Sequence, residues 1–123
     1  MNDFSPQAQP TEIRLVRDEK RLVVDFADGQ SFSLPAELLR VESPSAEVQG
    51  HGPGQKTLVA GRRHVGIMGV EAVGNYAIRI NFDDLHNTGI FSWQTLYQYG
   101  LHQDEMWQTY LDELDRQGLS RDP

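Results

Sequence analysis

The stretch Asn81–Gly100, NFDDLHNTGIFSWQTLYQYG, governs the interpretation of this 123-residue chain. It runs from the end of a strand through a polar loop into an aromatic helix. The loop Asp83–Gly89 is rich in residues that favour turns, and we expect it to be exposed. Ile90–Phe91 is expected to re-enter the core, and Ser92 is placed to accept a hydrogen bond from a first-turn amide as the helix N-cap. Gly100 is placed to end this helix in the left-handed conformation.

A strand precedes the loop and forms the second half of a hairpin. The apolar segment Val65–Val73 is its expected partner strand, and Gly74–Asn75 supplies the turn between the two. Alternate apolar residues predict the buried face of the strand: Tyr76, Ile78, Ile80 and Phe82.

The first third of the chain predicts a three-stranded meander. The alternation that begins at Ile13 continues on a second apolar face over Leu22–Phe26. Asp28–Gly29 suits a two-residue turn with positive φ, and the alternation resumes on a third strand at Phe32. Pro35 favours the start of a short helix after that strand.

Residues beyond Gly100 predict a second C-terminal helix. Its apolar stripe runs from Met106 to Leu114 and either packs on the domain's own sheet or forms a docking surface for a partner. The expected fold is therefore α+β: a small, mostly antiparallel sheet of about five strands in two hairpin or meander units, a short helix after strand three and two C-terminal helices. The predicted boundaries are a disordered lead-in over 1–10, a domain over 11–100, a helix over 101–118 and a fraying tail over 119–123.

Composition excludes several classes of function. The chain has no cysteine, so thiol nucleophiles, disulfides and thiolate metal sites are excluded within it. A formal charge of -7 argues against binding to nucleic acid or to an anionic membrane, because phosphate contacts need a basic surface. The sequence shows neither a secretory leader nor an apolar run of about 20 residues, so a cytoplasmic, soluble protein is expected.

A glycine-rich segment resembles a phosphate-binding loop without matching it. Gly50–Thr57, GHGPGQKT, has Gln55 where the motif G-x-x-x-x-G-K-[ST] needs glycine. The segment also lacks an apolar strand before it and a helical pattern after it, so we interpret it as a surface loop. The basic cluster Arg62–His64 is expected at a solvated edge rather than at an anion site.

His86 is the best-placed candidate for chemistry. With Asp83 or Asp84 beside it and His51 from the glycine-rich loop, it could hold a divalent metal. The alternative is that His86 only hydrogen-bonds the loop. The adjacent aspartates are expected to be solvated turn residues rather than an acid-base pair. Trp93 either stacks on a ligand or packs in the core.

Several separated motifs resemble the γ-butyrobetaine hydroxylase-like N-terminal domain, over about Thr11 to Gly100. The stretches that carry the resemblance are Leu39–Val41, Ser43–Val48, Gly50–Gly54 and Asp84–Trp93, followed by Leu96–Tyr97. In the full-length hydroxylases this domain precedes a catalytic iron and 2-oxoglutarate oxygenase domain, which this chain lacks. The resemblance therefore implies a non-catalytic domain.

The same resemblance implies a structural zinc held by three cysteines and one histidine. His86 matches the histidine, whereas the segment Val41–His51, which would carry the cysteines, has none. Leu85 also stands where stand-alone bacterial members of the family usually have glycine. Similar domains are fused to P-loop ATPases that carry iron-sulfur clusters, which implies an accessory role near metal or redox proteins.

Two functional hypotheses follow. In the first, which we favour, the chain is a non-catalytic accessory or interaction domain without a tightly bound cofactor, and it binds an unidentified protein partner. Its expected interaction surface comprises His51, Asp84, His86 and Trp93. In the second, His86 and the nearby ligands bind zinc or iron. An enzyme ranks last, because no nucleophile can be matched with a base or an oxyanion donor.

Overall fold

The computed structural model of the chain describes residues 9–52 and 54–123. Most of the lead-in expected over residues 1–10 lies outside these ranges, and Pro10 begins the first strand. The predicted α+β class is confirmed. The elements in chain order are β1 (Pro10–Val16), β2 (Arg21–Phe26), β3 (Ser31–Pro35), α1 (Ala36–Val41), α2 (Ala46–Gln49), β4 (Ile67–Val73), β5 (Ala77–Phe82), β6 (Ile90–Ser92) and α3 (Trp93–Arg116).

The first sheet is the predicted antiparallel meander in the order β1-β2-β3. The turn between β2 and β3 places Gly29 at φ 91°, which a glycine adopts without strain. The register of β2 and β3 places their apolar residues side by side on one face of the sheet, as at the pair Leu22 and Leu34. Both of these leucines are fully buried, so this face forms one side of the core.

A second three-stranded sheet, in the order β4-β5-β6, replaces the single sheet of about five strands that we predicted. The additional strand is β6, where Phe91 pairs with Ile78. Phe91 is buried as expected, but Ile90 is exposed, because neighbouring residues on a strand point to opposite faces. Tyr76 precedes β5 and is exposed, so the predicted buried face begins only at Ile78.

The C-terminal region forms one helix of 24 residues, so the prediction of two helices was wrong. Ser92 is the N-cap as predicted, since its hydroxyl accepts a hydrogen bond from the Thr95 amide at 3.1 Å. Gly100 lies inside the helix and is buried. A Cβ atom there would lie less than 3.0 Å from three ring carbons of Phe32. The glycine therefore allows α3 to approach β3 closely and does not end the helix.

The apolar stripe of α3 packs on the domain itself. Met106 and Trp107 contact the main core, and Tyr110 and Leu114 form a second buried cluster with Val41. Within the described ranges, no helix is long and apolar enough to cross a membrane.

The C-terminal residues, which we expected to fray, are bound to the domain. The carbonyl of Ser120 accepts a hydrogen bond from the Gly61 amide at 2.9 Å. The guanidinium of Arg121 donates two hydrogen bonds, at 2.9 and 2.7 Å, to the carboxylate of Glu37. Because the Glu37 side chain is nearly buried, it needs this charged partner.

Candidate functional site

The loop Asp83–Gly89 joins β5 to β6, and its side chains divide between the interior and the solvent. We expected the whole loop to be exposed, but His86 is only 8% exposed and packs beside Phe82. Its neighbour Leu85 is 82% exposed. The buried Phe82 at the end of β5 and Phe91 on β6 fix the two ends of the loop.

The His86 ring lies against two serines from the segment between α1 and α2. The Nε2 atom is 3.0 Å from Ser43 Oγ and 3.3 Å from Ser45 Oγ. The two hydroxyls are 3.3 Å apart, so the three atoms form a closed triangle. We call Ser43, Ser45 and His86 the polar triangle. All three residues are buried, so the triangle joins the loop to a distant part of the chain inside the protein.

The other ring nitrogen of His86 faces a carboxylate. Nδ1 lies 3.5 Å from Glu47 Oε1, and the same carboxylate oxygen accepts a hydrogen bond from the Thr88 hydroxyl. Burial lowers the pKa of His86, and the Arg40 guanidinium lowers it further, against the opposing effect of the Glu47 and Asp84 carboxylates. The imidazole is therefore neutral at pH 7.

Asp84 is held by two arginines. Its Oδ2 accepts hydrogen bonds from Arg40 Nε at 2.7 Å and from Arg62 Nε at 2.8 Å, and its Oδ1 accepts one from the His86 amide at 3.2 Å. Burial would raise the pKa of Asp84, but these hydrogen bonds outweigh it and the pKa is lowered. Arg62, predicted at a solvated edge, is thus half-buried in an ion pair. Asp84 acts here as an anchor of the loop.

The other residues proposed from the sequence make contacts of their own. His51 is exposed, and its amide donates a hydrogen bond to Gln55 Oε1. Trp93 lies at the opposite end of β5, where its Nε1 donates to the Asn75 carbonyl at 2.8 Å. His86 and Asp84 are therefore adjacent, whereas Trp93 is not part of the same surface.

The glycine-rich segment does not have the setting of a phosphate-binding loop. The short helix α2, rather than a strand, precedes it, and residues 55–60 have no regular structure. The strand-loop-helix arrangement that aims backbone amides at a phosphate is thus not found in the described part of this segment.

The donors around His86 do not fit a zinc or iron site. Its Nε2 faces two hydroxyl groups, which stay protonated near neutral pH, whereas zinc sites use thiolate, imidazole and carboxylate ligands. Glu47 faces the other nitrogen. Across residues 9–52 and 54–123, no group of three or more His, Asp or Glu side chains is arranged to hold a metal ion. The carboxylate of Asp83 lies beside Gly66.

In space, the His86 ring lies between the Ser43 hydroxyl and the Glu47 carboxylate. This is the order of a nucleophile, a base and a carboxylate in a catalytic triad. Ser43 is fully buried, however, so no substrate reaches its hydroxyl. Three cavities of about 260, 390 and 470 Å³ lie along α3, and none of these residues lines them. The contacts of the three residues hold the loop against the segment between α1 and α2.

Residue patterns alone missed the partners of His86 and Asp84. Ser43 is 43 positions from His86 in sequence, and Arg40 is 44 positions from Asp84. No local periodicity reports contacts of that range. The one signal for these contacts was the family resemblance. It implied a zinc site shared by His86 and the segment Val41–His51, and therefore that the two lie together.

The fold and the site define a small α+β domain in which a buried histidine fastens a surface loop to a serine-bearing segment. The family model described as "Gamma-butyrobetaine hydroxylase-like, N-terminal" matches residues 13–97, more than half of the chain. The chain belongs to this family, and the resemblance found in the sequence is confirmed.

Solved structures of similar proteins support the same assignment. One NMR solution structure matches with a TM-score of 0.82 at 46% identity, over 94% of this chain and 90% of that one. A second NMR solution structure matches with a TM-score of 0.84 at 42% identity, over 100% of this chain and 92% of that one. A crystal structure of a DUF971-family protein of unknown function from Acidithiobacillus ferrooxidans matches with a TM-score of 0.65 at 40% identity, over 76% of this chain and 94% of that one. No curated protein matches the chain.

Proposed function

We propose that this domain is a non-catalytic protein-binding module that docks its partner through the loop Asp83–Gly89, with Leu85 at the centre of the contact. The observation that carries the proposal is the conformation of Leu85. Its side chain is 82% exposed, and its backbone has φ 73°. A leucine in the left-handed region costs about 1 kcal/mol that a glycine would avoid. Because this exposed side chain contributes little to the core, a binding role accounts for its position.

The loop is held rigidly on both sides of Leu85. Asp84 is bound by two arginine side chains, and His86 is bound by two serine hydroxyls. A rigid apolar side chain loses little conformational entropy when it enters a partner's pocket. The loop is therefore suited to present Leu85 as a preformed anchor.

The charge around the loop indicates what the partner presents. Asp83 is exposed, and the Glu47 side chain on the other side of the loop is 64% exposed. We therefore expect the partner to have an apolar pocket with lysine or arginine at its rim. The resemblance to domains fused with iron-sulfur ATPases makes proteins that handle metals or redox chemistry the first partners to test. His51, which is also exposed, is a second position for mutation.

The test is a comparison of three immobilised proteins: the wild type, Leu85→Asp and the control Met68→Asp. Met68 is 57% exposed on β4, so it is a matched apolar position outside the loop. Quantitative mass spectrometry should find a partner retained by the wild type and the control and lost by Leu85→Asp. With that partner purified, Leu85→Asp should raise Kd roughly 30-fold or more. Equal retention by all three folded proteins would refute docking through the loop.

A further inference from the structure

We infer that the polar triangle is a metal-free staple, which fastens the loop Asp83–Gly89 by hydrogen bonds at the place where the family resemblance implies zinc. We further infer that its geometry is that of a metal site with the wrong donor atoms. Two thiols in place of the hydroxyls of Ser43 and Ser45 should therefore bind zinc together with His86, with a water molecule as the fourth ligand. This inference does not depend on the docking role of Leu85.

The distances between the three donor atoms support the inference that their geometry suits a metal ion. The edges of the triangle are 3.0, 3.3 and 3.3 Å. With Zn–N bonds of about 2.0 Å and Zn–S bonds of about 2.3 Å, ligands of a tetrahedral zinc ion lie roughly 3.5–3.8 Å apart. The three atoms thus need to separate by only about half an ångström, and the longer C–S bonds of cysteine assist this. The positions suit a metal, and the donor type does not.

Hydrogen bonds satisfy the polar side-chain atoms of the triangle without a metal ion. The Glu47 carboxylate near Nδ1 favours a proton on that nitrogen, which leaves Nε2 of the neutral imidazole to accept from a serine hydroxyl. Ser43 Oγ also lies 3.3 Å from Ser45 Oγ and 3.4 Å from the Ser45 amide, to which it can be an acceptor. Gly89 packs directly against the triangle, because a Cβ atom at this position would overlap the Ser43 hydroxyl. The present arrangement is therefore filled and satisfied as it stands.

The wild-type protein provides the first measurement. Elemental analysis of protein purified without an affinity tag, beside His86→Ala, should find no stoichiometric zinc or iron in either. Incubation with EDTA should leave the Tm of the wild type unchanged, whereas Ser43→Ala should lower it by roughly 5 °C through loss of buried hydrogen bonds. Near-stoichiometric metal that disappears in His86→Ala would overturn the inference.

The second measurement uses Ser43→Cys/Ser45→Cys, with Co²⁺ as a spectroscopic probe for zinc. The variant should bind about one equivalent of Co²⁺ and show thiolate-to-cobalt absorption, which zinc displaces. Adding His86→Ala should weaken Co²⁺ binding at least tenfold, and the wild type should show no such absorption. A folded double-cysteine variant without this absorption would refute the geometric part. If that variant does not fold, the wild-type measurements still decide whether the staple is metal-free.

Discussion

Gly100→Ala tests the closest contact between α3 and the first sheet. In an exposed helix interior this change stabilises a protein by about 1 kcal/mol, because alanine has the higher helix propensity. Here the added Cβ would lie less than 3.0 Å from three ring carbons of Phe32. The ring has little room to move, because it packs edge-on against Phe26 and Tyr97 at centroid distances of 5.9 and 5.5 Å.

The expected magnitude follows from these contacts. Overpacking of this kind costs about 3 kcal/mol, and disturbing two aromatic pairs adds about 1 kcal/mol. Subtracting the gain of about 1 kcal/mol in helix propensity leaves a loss of about 3 kcal/mol in the free energy of unfolding. For a chain of this size that is a fall of roughly 10 °C in Tm.

Urea unfolding followed by circular dichroism measures this loss. Gln98→Ala, at an exposed position of the same helix, is the control and should change the free energy of unfolding by less than about 0.5 kcal/mol. Phe32→Ala makes room for the new methyl group, so Gly100→Ala should cost at least about 1 kcal/mol less in that background than in the wild type. A neutral or stabilising Gly100→Ala would refute the close approach between α3 and Phe32.

Three further predictions concern the loop. Leu85→Gly should raise the free energy of unfolding by about 0.5–1 kcal/mol, because glycine removes the strain at positive φ; destabilisation in urea would contradict this. Asp84→Ala should lower the free energy of unfolding by about 3 kcal/mol by leaving Arg40 buried without its anion, whereas Asp83→Ala should cost little. Equal effects of the two changes in urea unfolding would argue against Asp84 as an anchor of the loop. The pKa of His86 is lowered from 6.5, so its contribution to stability is complete above about pH 6.5 and is lost as pH falls through the folded-state pKa. An NMR titration of the His86 ring should place its midpoint below 6.5, and a midpoint at or above 6.5 would contradict burial of a neutral ring.

The parts of the fold that the sequence predicted are those with local causes. The turn near Asp28–Gly29 and the alternation over Leu22–Phe26 depend on residues a few positions apart. The alternation agrees with the structure. The turn lies where predicted, but it has three residues rather than two, because the Phe26 amide donates to the Gln30 carbonyl, and of its two predicted residues only Gly29 has positive φ. Gly100 was misinterpreted because a glycine in a helical pattern suits both a helix end and a close contact. Only the position of Phe32, which comes from another part of the chain, distinguishes the two.

The candidate site was predictable in part for the same reason. A histidine among turn residues marked His86 as unusual, but periodicity predicts only contacts within one element. Its partners come from a separate segment, and so do the arginines that hold Asp84. Burial of His86 was not predictable from the loop composition, because turn residues indicate exposure on average and do not show which side chain faces inward.

The strain at Leu85 and the two anchors beside it depend on each other energetically. A leucine keeps a left-handed backbone conformation only where the contacts around it stabilise that conformation by more than the strain costs. The strain is about 1 kcal/mol, whereas breaking the buried ion pair of Asp84 costs about 3 kcal/mol and the hydrogen bonds of His86 add about 1 kcal/mol more. The anchors therefore exceed the strain, and the exposed Leu85 side chain is held in place before any partner arrives. Loss of either anchor should let Leu85 relax, so the buried contacts of His86 and Asp84 determine the conformation that the surface presents.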